Sequence, residues 1–197
     1  VGILGTGQVG QSLARGFEKY GHEVRLGSRD PARPYADAAR FGEIAVLCTR
    51  WDGTENALRL AGPDNLAGKV VIDVTNPLGA GSSGPALAVG FDDSGGEHVQ
   101  RWLPGSRVVK ALNIINQAYM VDPQFPGGPP DMFIAGNDAA AKRTVTEILR
   151  QFGWPVMDIG GIEGARLLES LAMLWITIGV RRGRWDHAWK LLREEDA

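Results

Sequence analysis

Apolar residues along this chain gather in short runs separated by stretches of helical period. Val1–Leu4, Glu23–Leu26, Glu43–Cys48, Val70–Val74, Val108–Leu112, Met132–Ala135 and Trp154–Ile159 each predict a strand. After the first run, Val9, Leu13, Phe17 and Tyr20 recur at helical spacing, with Gln11, Arg15, Glu18 and Lys19 on the opposite face. Gly21 then serves as a C-terminal cap. Asp30-Pro31 predicts the next helix start, Asp as N-cap and Pro at the first helical position. Ser94 opens a short helix through Leu103, and Glu97 completes a capping box. A longer helix, Ala139–Phe152, carries Val145, Ile148, Leu149 and Phe152 on one face. Strands this apolar, alternating with helices, predict an α/β fold: a Rossmann-type, doubly wound, mostly parallel sheet covered on both faces.

Two regions depart from that rhythm. Residues Gly79–Asp93 are rich in glycine and serine and show no period. They read as a loop leaving the carboxyl end of the fourth strand, either a lid over a second substrate or a mobile surface segment. At the other end a helix of roughly 18 residues is expected from about Glu163, then a shorter one near Trp185–Leu192. Leu167, Leu171, Leu174, Trp175 and Ile178 give the longer helix a broad apolar face, suited to core packing or to a homodimer interface. The expected organisation is a nucleotide-binding domain over residues 1–160 with C-terminal helices, 161–197, packed on it as one compact unit.

Composition narrows the partners. Twenty-one basic against twenty-three acidic residues leave a formal charge of −2, which gives no reason to expect nucleic acid or an anionic membrane. The apolar stretch Leu167–Val180 contains Glu169 and falls short of the roughly 20 residues a membrane span needs. The chain opens directly on a strand rather than a secretory signal, and Cys48 is its single cysteine. A cytoplasmic location is expected.

The chemistry begins at Gly5-Thr6-Gly7-Gln8-Val9-Gly10. Gly-x-Gly-x-x-Gly is a weak signal alone, but here it follows a strand and opens an amphipathic helix inside a βαβ unit. In that setting Gly5 allows the tight turn, Gly7 the approach of a pyrophosphate and Gly10 close helix–strand packing. The helix N-terminus supplies N–H groups for the anion. A dinucleotide is therefore expected.

Enzymes using NAD usually place an acid at the end of strand two, against the ribose 2′-hydroxyl. Here that position is Gly27, followed by Ser28 and Arg29. A hydroxyl and a planar guanidinium suit a 2′-phosphate, and Arg33, one turn into the expected helix, adds a second charge. Asp30 lies near the fingerprint's acidic spacing but reads as the helix cap, so NADP is the expected cofactor.

With Gly-Ser-Arg after strand two, the sequence resembles the NADP oxidoreductases dependent on the deazaflavin coenzyme F420. It also looks like the NADPH-binding cytosolic domain of transmembrane metalloreductases and, more distantly, the N-terminal domain of pyrroline-carboxylate reductase. The likeness continues through Trp51, Asp73–Pro77, Val109–Asn113, Ala135–Asp138 and Gly164–Trp175. It implies that Thr6, Gln8 and Val9 line the pyrophosphate and that Ser28, Arg29 and Arg33 take the 2′-phosphate. It also implies that Thr49, Arg50, Trp51, Asn76 and Pro77 border the nicotinamide, and that the protein is a homodimer.

Catalytic groups are sparse. Hydride transfer between two bound cofactors needs alignment and water exclusion, and the protein need not supply an acid. Of the three histidines, His22 lies in a turn, His98 on the short helix and His187 beside tryptophans. Lys110, inside strand five, is a candidate acid for a carbonyl or imine, or simply points to the sheet end. Asn113, just past that strand, is placed to bond a nicotinamide amide or a substrate carbonyl, whereas Asp73 reads as structural. No metal-ligand spacing appears. The primary expectation is hydride transfer between NADPH and a flavin-like acceptor, F420 or FMN/FAD. The alternatives are an NADPH-dependent reductase of a small carbonyl or imine, and a redox-sensing NADP-binding protein without turnover.

Overall fold

A computed structural model describes residues 1–82 and 84–192. The chain runs β1 (Gly2–Leu4), α1 (Gln8–Lys19), β2 (Arg25–Gly27), α2 (Tyr35–Phe41), β3 (Ile44–Leu47), α3 (Trp51–Ala61) and α4 (Pro63–Leu66). It continues through β4 (Val70–Asp73), β5 (Leu78–Gly81), β6 (Gly84–Leu87) and α5 (Gly95–Trp102). The last elements are β7 (Arg107–Lys110), β8 (Met132–Gly136), α6 (Ala139–Gln151), β9 (Val156–Asp158) and α7 (Ala165–Arg182).

Seven strands form one sheet in the order β2-β1-β3-β4-β7-β8-β9. The first five are parallel; β8 pairs antiparallel with β7, and β9 runs parallel to β8. Residue alternation sends the two halves of each strand's apolar set to opposite faces. Ile3, Val46, Ile72 and Val109 meet Leu13 and Phe17 of α1 and Val145, Ile148 and Leu149 of α6. Leu4, Leu47, Val71 and Val108 meet Ala38 of α2, Leu58 of α3 and Val99 of α5. The doubly wound, mostly parallel sheet is therefore as the pattern predicts, with α7 as the C-terminal helical extension.

Three local expectations are corrected. The second helix begins at Tyr35, not at Asp30-Pro31. Pro34 disfavours helical backbone at Arg33, the residue before it, so Asp30 instead closes a turn by accepting from the Ala32 N–H at 2.9 Å. The glycine-rich segment is not structureless: β5 and β6 pair as an antiparallel hairpin, Leu78 opposite Leu87 and Gly81 opposite Gly84. Apart from Leu78 and Leu87 these strands are Gly, Ala and Pro, which carry no alternation of polar and apolar side chains, so their pairing leaves no pattern to read. Finally, no helix forms near Trp185–Leu192. The chain leaves α7 through Gly183 in the left-handed region (φ 62°). Its backbone groups then bond elsewhere: Asp131 N–H donates to the Trp189 carbonyl, and Leu191 N–H to the Asp131 carboxylate.

Candidate functional site

Because β1, β2, β3, β4 and β7 are parallel and adjacent, their carboxyl ends open on one edge. β1 lies between β2 and β3, so the chain reverses its direction of travel across the sheet there, and the loop after β1 sits at the switch point. Gly5 holds φ 137°, and its N–H donates to the Gly27 carbonyl at 3.0 Å, which ties the loop to the end of β2. A side chain at Gly10 would overlap the Gly5 carbonyl oxygen, whereas one at Gly7 would meet nothing within 4 Å. The loop is thus tight beneath and open above, at the start of α1 where the first N–H groups of a helix have no partners within it. That is the cradle an anion such as a pyrophosphate requires.

Cys48 packs under this cradle. Its Sγ lies 3.5 Å from the Leu4 carbonyl oxygen and would stand about 3 Å from any β-carbon at Gly5 or Gly10. Burial pushes its thiol up to about 12.

The turn after β2 is closed by its own bonds. Ser28 N–H donates to the Arg33 carbonyl at 2.7 Å, Tyr35 N–H to the Ser28 carbonyl at 3.1 Å, and Asp30 N–H to Ser28 Oγ at 3.0 Å. Arg29 and Arg33 both stand exposed on it. Arg33 lies before the helix rather than one turn into it, 3.8 Å from the Asp30 carboxylate. Gly27 has a cause the sequence alone does not show: a β-carbon there would lie 2.9 Å from both the Ala38 β-carbon and the Tyr35 α-carbon. The first turn of α2 leaves no room for any side chain, acidic or not.

The ends of β3 and β4 enclose a cavity of about 830 Å³. Val9, Thr49, Arg50, Trp51, Thr75 and Asn76 line it, with Leu78–Gly81, Gly84 and Pro85 of the two hairpin strands forming one wall. Thr49 and Arg50 lead into α3, where the Thr54 hydroxyl holds Thr49 Oγ1 at 2.9 Å and donates to the Arg50 carbonyl. Trp51 packs on Trp102 and edge-on to His98, which in turn lies 3.1 Å from Asp93. Pro77 is buried beside Trp51.

Asn76 and Asn113 join the ends of β4 and β7. Asn76 Nδ2 donates to the Asn113 carbonyl at 2.8 Å, and Asn113 Nδ2 donates to Asn76 Oδ1 at 3.0 Å and to the Leu168 carbonyl at 3.1 Å. Leu112 adopts φ 59°, unusual for a branched side chain, and turns the chain so that Asn113 faces its partner. Asn113 Oδ1 is buried with no protein donor.

Beneath this pair sits a cluster that sequence reading assigned only in pieces. Lys110 is fully buried, and its ammonium contacts Asp73 Oδ2 at 3.0 Å, Glu169 Oε1 at 2.9 Å and the Thr75 carbonyl at 2.5 Å. Asp73 Oδ1 accepts from both the N–H and the hydroxyl of Thr75. Glu169, on α7, accepts from the N–H groups of Gly95 and Gly96 at the start of α5. Burial alone would lower the lysine's pKa, but the two carboxylates overcome it and hold the group above its usual range. A lysine so enclosed cannot reach a substrate, and neither sequence suggestion, a candidate acid or a side chain pointing to the sheet end, describes it. The missed signal was a single charge inside each of three apolar runs, at 73, 110 and 169.

The other histidines stay away from the edge: His22 packs against Phe17, and His187 stacks on Trp175. Among the described residues no cluster of His, Cys, Asp and Glu could hold a metal, and no helix is long and apolar enough to cross a membrane.

Comparison with known proteins agrees with this geometry. Residues 1–36 and 32–77 match the family described as NADP oxidoreductase, coenzyme F420-dependent. A crystal structure of a provisionally named F420-dependent NADP reductase from Arthrobacter sp. FB24 superposes with a TM-score of 0.92 at 38% identity, covering 97% of this chain and 98% of that one. The F420-dependent NADP reductase of Methanothermobacter marburgensis is 28% identical over 204 residues, 90% of each chain. The metalloreductase STEAP3 of Rattus norvegicus is 29% identical over 185 residues, 88% of this chain but 36% of that protein. This chain thus spans about a third of the curated metalloreductases it matches. Fold, phosphate loop and relatives define a Rossmann-type NADP-dependent oxidoreductase. The chain belongs to the F420-dependent NADP oxidoreductase family.

Proposed function

We propose that this chain binds NADPH along the carboxyl edge and passes hydride between it and a flavin-like acceptor, coenzyme F420 or FMN/FAD, seated in the cavity beside Trp51. The observation that carries the cofactor half is the turn after β2. Gly27 has no room for the acid that NAD enzymes place there, and Ser28 and Arg29 follow on a turn locked by its own backbone. In this reading the N–H groups at the start of α1, with Thr6, Gln8 and Val9, hold the pyrophosphate, and Ser28, Arg29 and Arg33 hold the 2′-phosphate. Thr49, Arg50, Trp51, Asn76 and Pro77 border the nicotinamide, and Asn113 stands behind Asn76, bonded to it.

The cofactor, when bound, supplies the hydride. This chain's residues orient it, and the hairpin wall and Trp51 shield the transfer from water. Lys110, being enclosed, is not available as the proton donor that a carbonyl or imine acceptor would need. We also propose that residues 1–160 form the nucleotide-binding unit, and that the exposed Leu167 and Leu174 on α7 pack against a second copy, which light scattering of the purified protein would test.

The test of function mixes purified protein and NADPH in turn with F420, FMN, FAD and ferric chelates, following the nicotinamide absorbance. Oxidation with F420 or a flavin supports the reading. Tight NADPH binding without oxidation by any acceptor would instead identify an NADP-responsive binding protein.

A further inference from the structure

Three buried charges stand where a sheet and two helices meet, and their stabilising value does not explain them. Replacing a buried ion set by well-packed apolar residues is often neutral or favourable, because desolvation offsets much of the attraction. Here Asp73, Lys110 and Glu169 are each at most 1% exposed. Their arrangement leaves no polar atom idle: the ammonium donates three times, and all four carboxylate oxygens accept. The set carries one excess negative charge, which the N-terminus of α5 faces with two N–H groups.

Two routes lead from this cluster to the cleft. The first runs through Lys110 to the Thr75 carbonyl, the peptide group directly before Asn76 and Pro77. The second runs through Glu169 to Gly95, whose α-carbon comes so close that a side chain there would stand 3.1 Å from the Trp51 ring and 3.2 Å from Pro77. Gly96 packs equally close on Ala165 of α7, since its β-carbon would lie 2.7 Å from that methyl group. The carboxylate of Glu169 therefore seats the first turn of α5 against Trp51 and Pro77 while neutralising the lysine that fixes the 75–77 turn.

We propose that Lys110 and Glu169 are positioning residues: together they set the placement of Thr75–Pro77 and Trp51, so that grip on the nicotinamide half of the cofactor depends on an α7 carboxylate that never touches it. This rests on the NADPH reading given above. The adenosine half is independent of the cluster, because Ser28 and Arg29 sit at the far strand, β2, and bond only within their own turn.

The experiment exploits that separation. Affinities for NADPH and for the fragment adenosine 2′,5′-bisphosphate are measured on the full chain for wild type, Glu169→Gln and the double variant Lys110→Met/Glu169→Gln. The expected result is NADPH binding weakened about tenfold or more, with the fragment held within about twofold. Equal losses for both ligands would mean a merely structural cluster and would overturn the proposal, as would a folded variant with unchanged NADPH affinity. Glu169→Asp, which keeps the charge and withdraws it by one methylene, covers the case where the others do not fold, with the same ratio expected to shift in the same direction. Amide hydrogen exchange at residues 75–77 and 95–96 supplies a cofactor-free reading. If wild type fails to bind NADPH the functional reading falls, yet unchanged exchange in Glu169→Gln would still separately refute the clamp.

Discussion

At the β2 end of the carboxyl edge the charged groups stand in water, whereas at the β4–β7 end they are sealed from it. Arg29 and Arg33 are exposed on a turn whose shape comes from backbone hydrogen bonds. Asp73, Lys110 and Glu169 are enclosed, and the shape of their surroundings comes from the charges themselves. An exposed cation is free to meet an incoming phosphate and costs the fold little when it is removed. A buried charge trio ties together the backbone it bonds, and removing one member strands the others. In the proposed reading, one end of the cleft chooses the ligand and the other orients it.

The largest effect that would sharpen this contrast is on stability. Lys110→Met leaves two carboxylates buried without a counter-charge, so the protein should lose about 3–5 kcal/mol in urea unfolding at neutral pH. Because the folded-state pKa of Lys110 is raised, the ion set contributes fully below the lysine's ordinary value of 10.5 and is lost as pH climbs through the folded value. The gap between wild type and variant should therefore persist from neutral pH to about 10 and close only beyond it. Arg29→Ala should leave urea unfolding unchanged and reduce NADPH affinity by about 1.5–3 kcal/mol, with little change for NADH. Equal loss for both cofactors, measured by fluorescence titration, would remove the distinction between the two ends.

Next comes Gly27→Asp. If that position only lacked an acid, the change would convert the site toward NADH. Because α2 occupies the space, we expect a loss of about 1–3 kcal/mol in stability and no gain in NADH affinity. The smallest effect concerns the partly buried pair Glu97–Arg166, between α5 and α7. The Arg166 guanidinium holds Glu97 below the usual carboxylate range, so the pair helps above the glutamate's ordinary value of 4.5 and is lost as pH falls through the folded value. Arg166→Ala should thus be slightly less stable than wild type at neutral pH and indistinguishable from it in acid. A difference that grows on acidification would contradict the sign.

The exposed end was legible in sequence and the sealed end only in part. Gly5 to Gly10 is one short local pattern and Ser28-Arg29 another, each readable from neighbouring residues, and the strands announced themselves by apolar runs. The cluster draws one residue each from β4, β7 and α7, and no local pattern records that three distant interior charges will meet. The same limit explains Gly27, whose necessity comes from Tyr35 and Ala38 across the fold. It explains the terminal segment too, where a helix near Trp185–Leu192 was expected: the Trp189 carbonyl accepts from the Asp131 N–H, and the Leu191 N–H donates to the Asp131 carboxylate. The hairpin at 78–87 was invisible for the opposite reason, since its pairing belongs almost wholly to the main chain.

Cys48, under the phosphate loop, bears on how this enzyme would fare under oxidative stress. A thiol held protonated up to about pH 12 presents almost no thiolate to peroxide, and thiolate is the form that oxidises. On its other side Cys48 borders the cavity beside Trp51, so its protection rests on the scarcity of thiolate rather than on steric closure. The chain can thus keep a cysteine against a tightly packed loop because the reactive form of its thiol is scarce.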